Sequence, residues 1–184
     1  YLAAFGGMFV MESAIDGKVT YRRANVADGT ADDLNRNMML FFTGKTRSAD
    51  EILKEQEAGV NKEVGQAKKD VTESMHYIKQ IGYEILEAVE DGDLDDVGKL
   101  FDAHWQHKKR TSSKMTNPEF DKIYSFAKEN GALGGKISGA GGGGFFTFYV
   151  PDNHAEFAQA MKKLGLQEMR YRFDFGGSKV IANI

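Results

Sequence analysis

Residues 131–144 read Gly-Ala-Leu-Gly-Gly-Lys-Ile-Ser-Gly-Ala-Gly-Gly-Gly-Gly, and the apolar run Phe145-Phe-Thr-Phe-Tyr-Val150 follows without a break. No other stretch restricts the fold so strongly. Glycine adopts positive φ and lets another backbone or a ligand come close, at an entropic cost to the folded chain. Backbone N–H groups unobstructed by side chains can form an anion-binding concavity, which makes phosphate the first candidate ligand. The same run also fits a flexible turn or a sheet-edge bulge.

Two familiar phosphate loops fail on spacing. The dinucleotide fingerprint opens a helix, whereas these glycines run into a β-branched and aromatic strand. The P-loop needs a glycine, four residues, then Gly-Lys and Ser or Thr. Gly131 to Gly135-Lys136 has the wrong interval and is followed by Ile137; Gly44-Lys45-Thr46 has Met39 where the first glycine belongs.

Around this run the chain alternates between strand and helix signals. Met8–Glu12 and Lys18–Arg22 predict a hairpin turning at Ile15-Asp16-Gly17, with Asp16 as a turn residue. A polar connection, 24–33, leads to a doubly buried strand over Asn35–Thr43. Ser48 and Glu51 form a capping box for a helix over about 49–58. Apolar spacing from Val64 to Val89 predicts a long helix over 61–90, and Asp93 caps the next. That helix carries Leu94, Val97, Phe101, His104 and Trp105 inward and ends in the cationic run His107-Lys108-Lys109-Arg110. His104 and His107 are three apart, but without a third ligand the spacing favours packed or hydrogen-bonded histidines over a metal site.

Asn117-Pro118 starts a further helix and Gly131 ends it, so the glycine run begins as a helix C-cap and only its second half need touch a ligand. Phe145–Val150 is a strand, Asp152 or Asn153 caps a helix closed by Gly165, and Met169–Phe175 alternates as a half-buried strand. Gly176-Gly177 then turns the chain back into Ser178–Ala182. This order predicts α+β: a mostly antiparallel sheet with helices packed on one face.

The 184 residues suit one domain, or one with a small appendage. A net charge of -3 makes no case for nucleic acid, and the lack of cysteine excludes disulfides and thiolate metal sites. No apolar stretch approaches the roughly 20 residues of a membrane span, so a cytoplasmic protein is the default expectation.

The blocks Gly131-Ala132-Leu133-Gly134-Gly135-Lys136 and Gly139-Ala140-Gly141-Gly142-Gly143-Gly144 resemble the third motif of the GHMP kinases. The four consecutive glycines are most similar to the branch that phosphorylates heptose 7-phosphates. The resemblance spans nearly the whole chain and implies a ferredoxin-like C-terminal domain with an inserted helical block. It also implies an ATP- and Mg²⁺-dependent transfer of the γ-phosphoryl group to the anomeric hydroxyl of D-glycero-D-manno-heptose 7-phosphate. Gly139, Ala140, Gly141, Gly142 and Gly143 would then line the nucleotide phosphates or buttress the phosphate loop of an N-terminal half. Lys45 and Arg47, in a Thr-Gly…Arg-Ser element, Lys108 and Lys109, in a His-Trp-x-x-Lys stretch, and Lys136 are the implied substrate cations.

The family's second motif, a Ser-rich glycine loop, is absent here, and the chain opens at Tyr1 without a methionine. The resemblance therefore implies a C-terminal portion of a longer protein. Its hairpin, about residues 1–33, would belong to or join the N-terminal domain, and the catalytic and Mg²⁺ residues would lie upstream. A homodimer stays open. Two alternatives remain: another GHMP small-molecule kinase of the galactokinase, fucokinase or mevalonate type, or a non-catalytic ferredoxin-like ligand-binding module.

Overall fold

The computed structural model describes residues 2–45, 49–61, 66–139, 141–179 and 181. A short helix, α1 (Leu2–Phe5), precedes a hairpin of β1 (Phe9–Ser13) and β2 (Val19–Arg23), each starting one residue later than the sequence predicts. The hairpin pairs Phe9 with Arg23 and Ser13 with Val19. Gly17 turns it at φ 82, and the Lys18 N–H donates to the Asp16 carboxylate at 2.9 Å, a turn role as expected.

The predicted polar connection is instead a helix, α2 (Asp28–Asn37), which buries Ala31, Leu34 and Asn37. The strand therefore begins at Met38. β3 (Met38–Phe42), β4 (Gly134–Ile137), β5 (Phe145–Tyr149) and β6 (Gln167–Glu168) form one antiparallel sheet in the order β4-β5-β3-β6. Between β3 and β4 run α3 (Ala49–Asn61), α4 (Gln66–Asp91), α5 (Leu94–Lys109) and α6 (Pro118–Glu129); α7 (His154–Lys163) joins β5 to β6. The succession strand, helical block, strand, strand, helix, strand is the ferredoxin-like α+β plan the sequence implies.

Local chemistry sets the starts of α5 and α6. The Asn117 side chain accepts from Phe120 N–H at 3.0 Å with Pro118 behind it, satisfying an N–H that the first helical turn leaves orphaned. Asp93 caps α5 through Asp96 N–H at 3.4 Å. Asn153 departs from expectation: it starts α7 in the left-handed conformation, φ 55, with no capping hydrogen bond from its side chain. The predicted cap at Ser48 lies outside the described residues.

Helices cover both faces of the sheet, not one. Met39, Phe41, Phe146 and Phe148 share a face by register and pack with Phe120, Ile123, Tyr124 and Ala127 of α6 and Phe157 and Met161 of α7. Met38 and Tyr149, on the opposite face, pack with Leu34 of α2, with Leu94, Val97 and Phe101 of α5, and with Ile85 and Val89 of α4. This explains why β5 reads as a continuous apolar run.

The C-terminal region also differs from the prediction. The ladder to β3 ends at Glu168, and Met169 N–H adds one bond to Leu40 O at 2.8 Å. Beyond it the chain clings to side chains instead, with Phe173 N–H on Asn35 Oδ1 at 3.0 Å. Gly176-Gly177 does turn, held by the Asp174 carboxylate, but residues beside the turn bond to the N-terminal segment. Gly7 N–H donates to Asp174 O at 2.6 Å and Ser178 N–H to Ala4 O at 3.0 Å.

Candidate functional site

The first glycine block is not loop. Gly134 and Gly135 belong to β4, the edge strand, because their neighbours leave no room for a side chain. A Cβ on Gly134 would lie 2.0 Å from Gly98 O and 2.6 Å from Asp102 N of α5; one on Gly135 would lie 2.4 Å from Phe148 Cδ1. Gly98 repeats the theme from the helix, since its Cβ would lie 2.6 Å from Tyr149 Cδ1. Glycine against glycine thus brings the α5 backbone directly onto β4.

Side chains further along this seam are cationic. Lys136 points to the same side of β4 as Gly134, by strand alternation, and its Nζ sits 5.2 Å from the centroid of the Phe101 ring of α5, within cation–π range. Near the end of α5, Lys108 Nζ donates to Gly139 O at 2.6 Å, where the glycine loop leaves the sheet. His104 lies one turn before Lys108. Burial first, then the charges of Lys136, Lys108 and His107, hold its imidazole neutral, pushed down to about 4. Burial, with Lys136 nearby, pushes Lys108 down to about 8, and burial also lowers Lys136. Among the described residues neither lysine has an ion pair to a carboxylate.

The other predicted cations go elsewhere. Lys45 pairs with Glu119, and Lys109 faces Asp121 at 3.6 Å; both partners are on α6. Arg47 and Ala140 lie outside the described residues. The predicted substrate set therefore divides: Lys108 and Lys136 come together, whereas Lys45 and Lys109 are engaged by acids.

The second glycine block is a loop stapled to the protein. Ser138 N–H donates to Phe145 O at 2.8 Å, closing the β4–β5 turn. Gly144 exchanges bonds with the strand-end segment: Thr43 N–H and Thr43 Oγ1 both donate to Gly144 O at 2.9 Å, and Gly144 N–H donates to Lys45 O at 2.7 Å. Gly142 N–H donates to Met115 O at 3.1 Å. Gly141, at φ 104, has Met115 Sδ 2.0 Å from where a Cβ would stand. Gly142 and Gly143 are buried and Gly139 is exposed, so the surface this loop offers a ligand is at its Gly139 end, beside Lys108. The loop and two uncompensated ammonium groups suit a phosphate. Among the described residues no three His, Cys, Asp or Glu side chains converge on a metal position. His107 instead stacks its ring on Tyr77 at 4.6 Å.

Sequence reading missed the loop-holding parts of Met115 and Thr43. The i, i+4 spacing of His104 and Lys108 was visible, but nothing in the sequence marks Met115, which acts through its carbonyl and its bulk.

Residues 85–165 match the family model described as GHMP kinases C terminal. The chain carries a GHMP kinase C-terminal domain. It is 34% identical over 180 residues to the D-glycero-alpha-D-manno-heptose 7-phosphate kinase of Campylobacter jejuni, covering 97% of this chain and 50% of that protein. It is 28% identical over 122 residues to the L-fucokinase/L-fucose-1-P guanylyltransferase of Bacteroides fragilis, covering 64% of this chain and 12% of that protein. Among solved structures, a D-glycero-D-manno-heptose 1-phosphate kinase from Bacteroides thetaiotaomicron superposes with a TM-score of 0.67 at 24% identity. That match covers 98% of this chain and 47% of the other, and shows the shared fold. The chain thus spans about half the length of these heptose kinases and 12% of the fucokinase. Its α5–β4 seam and the β4–β5 glycine turn both fall within the matched residues.

Proposed function

We propose that this GHMP domain is the substrate-side part of a longer ATP-dependent sugar-phosphate kinase. The reaction is transfer of the γ-phosphoryl group to the anomeric hydroxyl of D-glycero-D-manno-heptose 7-phosphate, in the cytoplasm. One observation carries the reading: Lys108, bonded to Gly139 O at the exposed end of the glycine loop, lies within electrostatic reach of Lys136, and among the described residues neither pairs with a carboxylate. Partly buried ammonium groups without an acid are costly, and a bound anion recovers that cost. A sugar 7-phosphate supplies two negative charges, and the relative at 34% identity is named for that substrate.

Phosphoryl transfer depends on positioning and charge neutralisation more than on covalent chemistry from the protein. In this reading Lys108 and Lys136 hold the sugar phosphate, with Lys45, Lys109 and Arg47 in secondary electrostatic roles. Gly139 faces the ligand, while Gly141, Gly142 and Gly143 buttress it. ATP brings the transferred phosphoryl group, with Mg²⁺ ligands and the catalytic residues placed in an N-terminal domain of the same chain.

Calorimetric titration of the 184-residue chain with D-glycero-D-manno-heptose 7-phosphate, L-fucose and Mg-ATP at low salt tests this. The heptose phosphate should bind, and its affinity should fall by about tenfold or more, about 1.4 kcal/mol, when Lys108 and Lys136 become Ala. Unchanged affinity in that variant refutes the assignment of the lysines, and preference for L-fucose refutes the substrate. Measurable kinase turnover by this chain alone would refute the division of labour.

A further inference from the structure

The glycine loop is held at mid-length by Met115, and the turn that carries Met115 is bonded to an acid on α3. On α3, the Glu55 carboxylate accepts three hydrogen bonds: from Ser112 Oγ at 2.7 Å, Ser113 Oγ at 2.6 Å and Ser113 N–H at 3.1 Å. Those bonds, those from Ser113 first, hold its carboxyl below the usual carboxylate range. Ser112 Oγ in turn accepts from Lys114 N–H at 3.1 Å, and Met115 N–H closes the turn on Ser112 O at 3.2 Å. Two more contacts flank the acid on the same helix: Gln56 Nε2 to Thr111 Oγ1 at 2.8 Å and Lys114 to Glu51 at 3.1 Å.

The turn delivers Met115 to the glycine loop. Met115 is fully buried; its carbonyl receives Gly142 N–H and its sulfur fills the space beside Gly141. We propose that Glu55 is a positioning residue that fixes the glycine loop through the Ser112–Met115 turn. A carboxylate with donors from two successive residues fixes a turn's geometry far more tightly than a solvated ion pair does. The functional weight of this arrangement rests on reading the loop as the wall of a phosphate site.

Backbone hydrogen exchange in the 184-residue chain tests it without any ligand. Glu55→Gln keeps the size but leaves one accepting oxygen and no charge. Exchange at Gly142 should rise by about tenfold or more, while Phe146 and Phe148 in β5 stay within about twofold. Ser113→Ala, which removes a donor from a solvent-facing position, should give a smaller rise at the same amide. Adding it to Glu55→Gln should give less than the product of the two effects, because the two residues form one bonded unit. Unchanged exchange at Gly142 in both variants overturns the proposal. So does equal acceleration at Gly142, Phe146 and Phe148, the mark of general destabilisation. A chain that shows the local effect yet fails to bind heptose 7-phosphate retains the role of Glu55 and loses the functional reading, so the two failures are separable.

Discussion

Replacing Lys108 by Met should stabilise the unliganded chain at neutral pH while removing its affinity for phosphate. The lysine is pushed from its ordinary 10.5 down to about 8, by burial first and by Lys136 second. At about 1.4 kcal/mol per pKa step this is about 3 kcal/mol, and its partial exposure reduces the usable figure to roughly half. The sign follows from proton counting. Between about pH 8 and 10.5 the unfolded chain binds more protons at this site than the folded one, so stability rises with pH across that window. Below pH 8 both states hold the proton, and the folded state bears the full cost. At pH 7 the Met variant should therefore melt higher by about 3–6 °C, taking about 1.5 kcal/mol and 2–4 °C per kcal/mol for a chain of this size. Near pH 10.5 the two curves should converge. Calorimetric melting at both pH values measures this, and other titrating groups largely cancel in the difference. Heptose 7-phosphate at about a hundred times its Kd should add about 2.7 kcal/mol to the wild type alone and reverse the order. A Met variant that melts lower at pH 7, or a difference that ignores pH, would show that the bond to Gly139 O outweighs desolvation and would refute the reasoning.

Gly134→Ala should cost about 3 kcal/mol or more, the upper end for overpacked cores, because its Cβ would meet Gly98 O at 2.0 Å and backbone atoms have no rotamer to escape into. Urea unfolding checks this, and wild-type stability in the variant would contradict the described contact. Asn117→Ala should lower stability by about 1 kcal/mol through the lost bond to Phe120 N–H, seen as a shift in urea midpoint with an unchanged slope; a shift under about 0.3 kcal/mol would leave Pro118 as the sole start signal.

Helices α4, α5 and α6 were legible because each combines a 3.6-residue apolar period with a recognisable end: Asp93, Asn117 and Gly131 in particular. The hairpin was legible from Asp16-Gly17. α2 was not, since it turns only Ala31, Leu34 and Asn37 inward and the rest of its surface is polar. β4 was hidden for a different reason. Gly134 and Gly135 have no strand propensity of their own; they form a strand because α5 and Phe148 occupy the space their side chains would need. The C-terminal alternation from Met169 to Phe175 was a true signal of half burial, but past Glu168 the neighbours are Asn35 and the N-terminal segment instead of a sheet edge. At the site, the glycine block and the basic end of α5 stood out in the sequence. Which lysines were compensated did not, because Glu119 and Asp121 reach Lys45 and Lys109 only after α6 is folded into place.

The contact of Gly98 with Gly134 has a consequence for how such a site can drift. Where side chains separate a helix from a strand, their volumes set the gap, and every core substitution alters it slightly. Here main-chain atoms touch main-chain atoms, so the gap is set by the radii of carbonyl and amide groups, which mutation leaves unchanged. Apolar exchanges elsewhere in the core, at Leu133 for example, should leave the backbone of the helix bearing Lys108 at the same height over the strand bearing Lys136. The spacing of the two backbones that carry the charges is thereby insulated from much of the core around them.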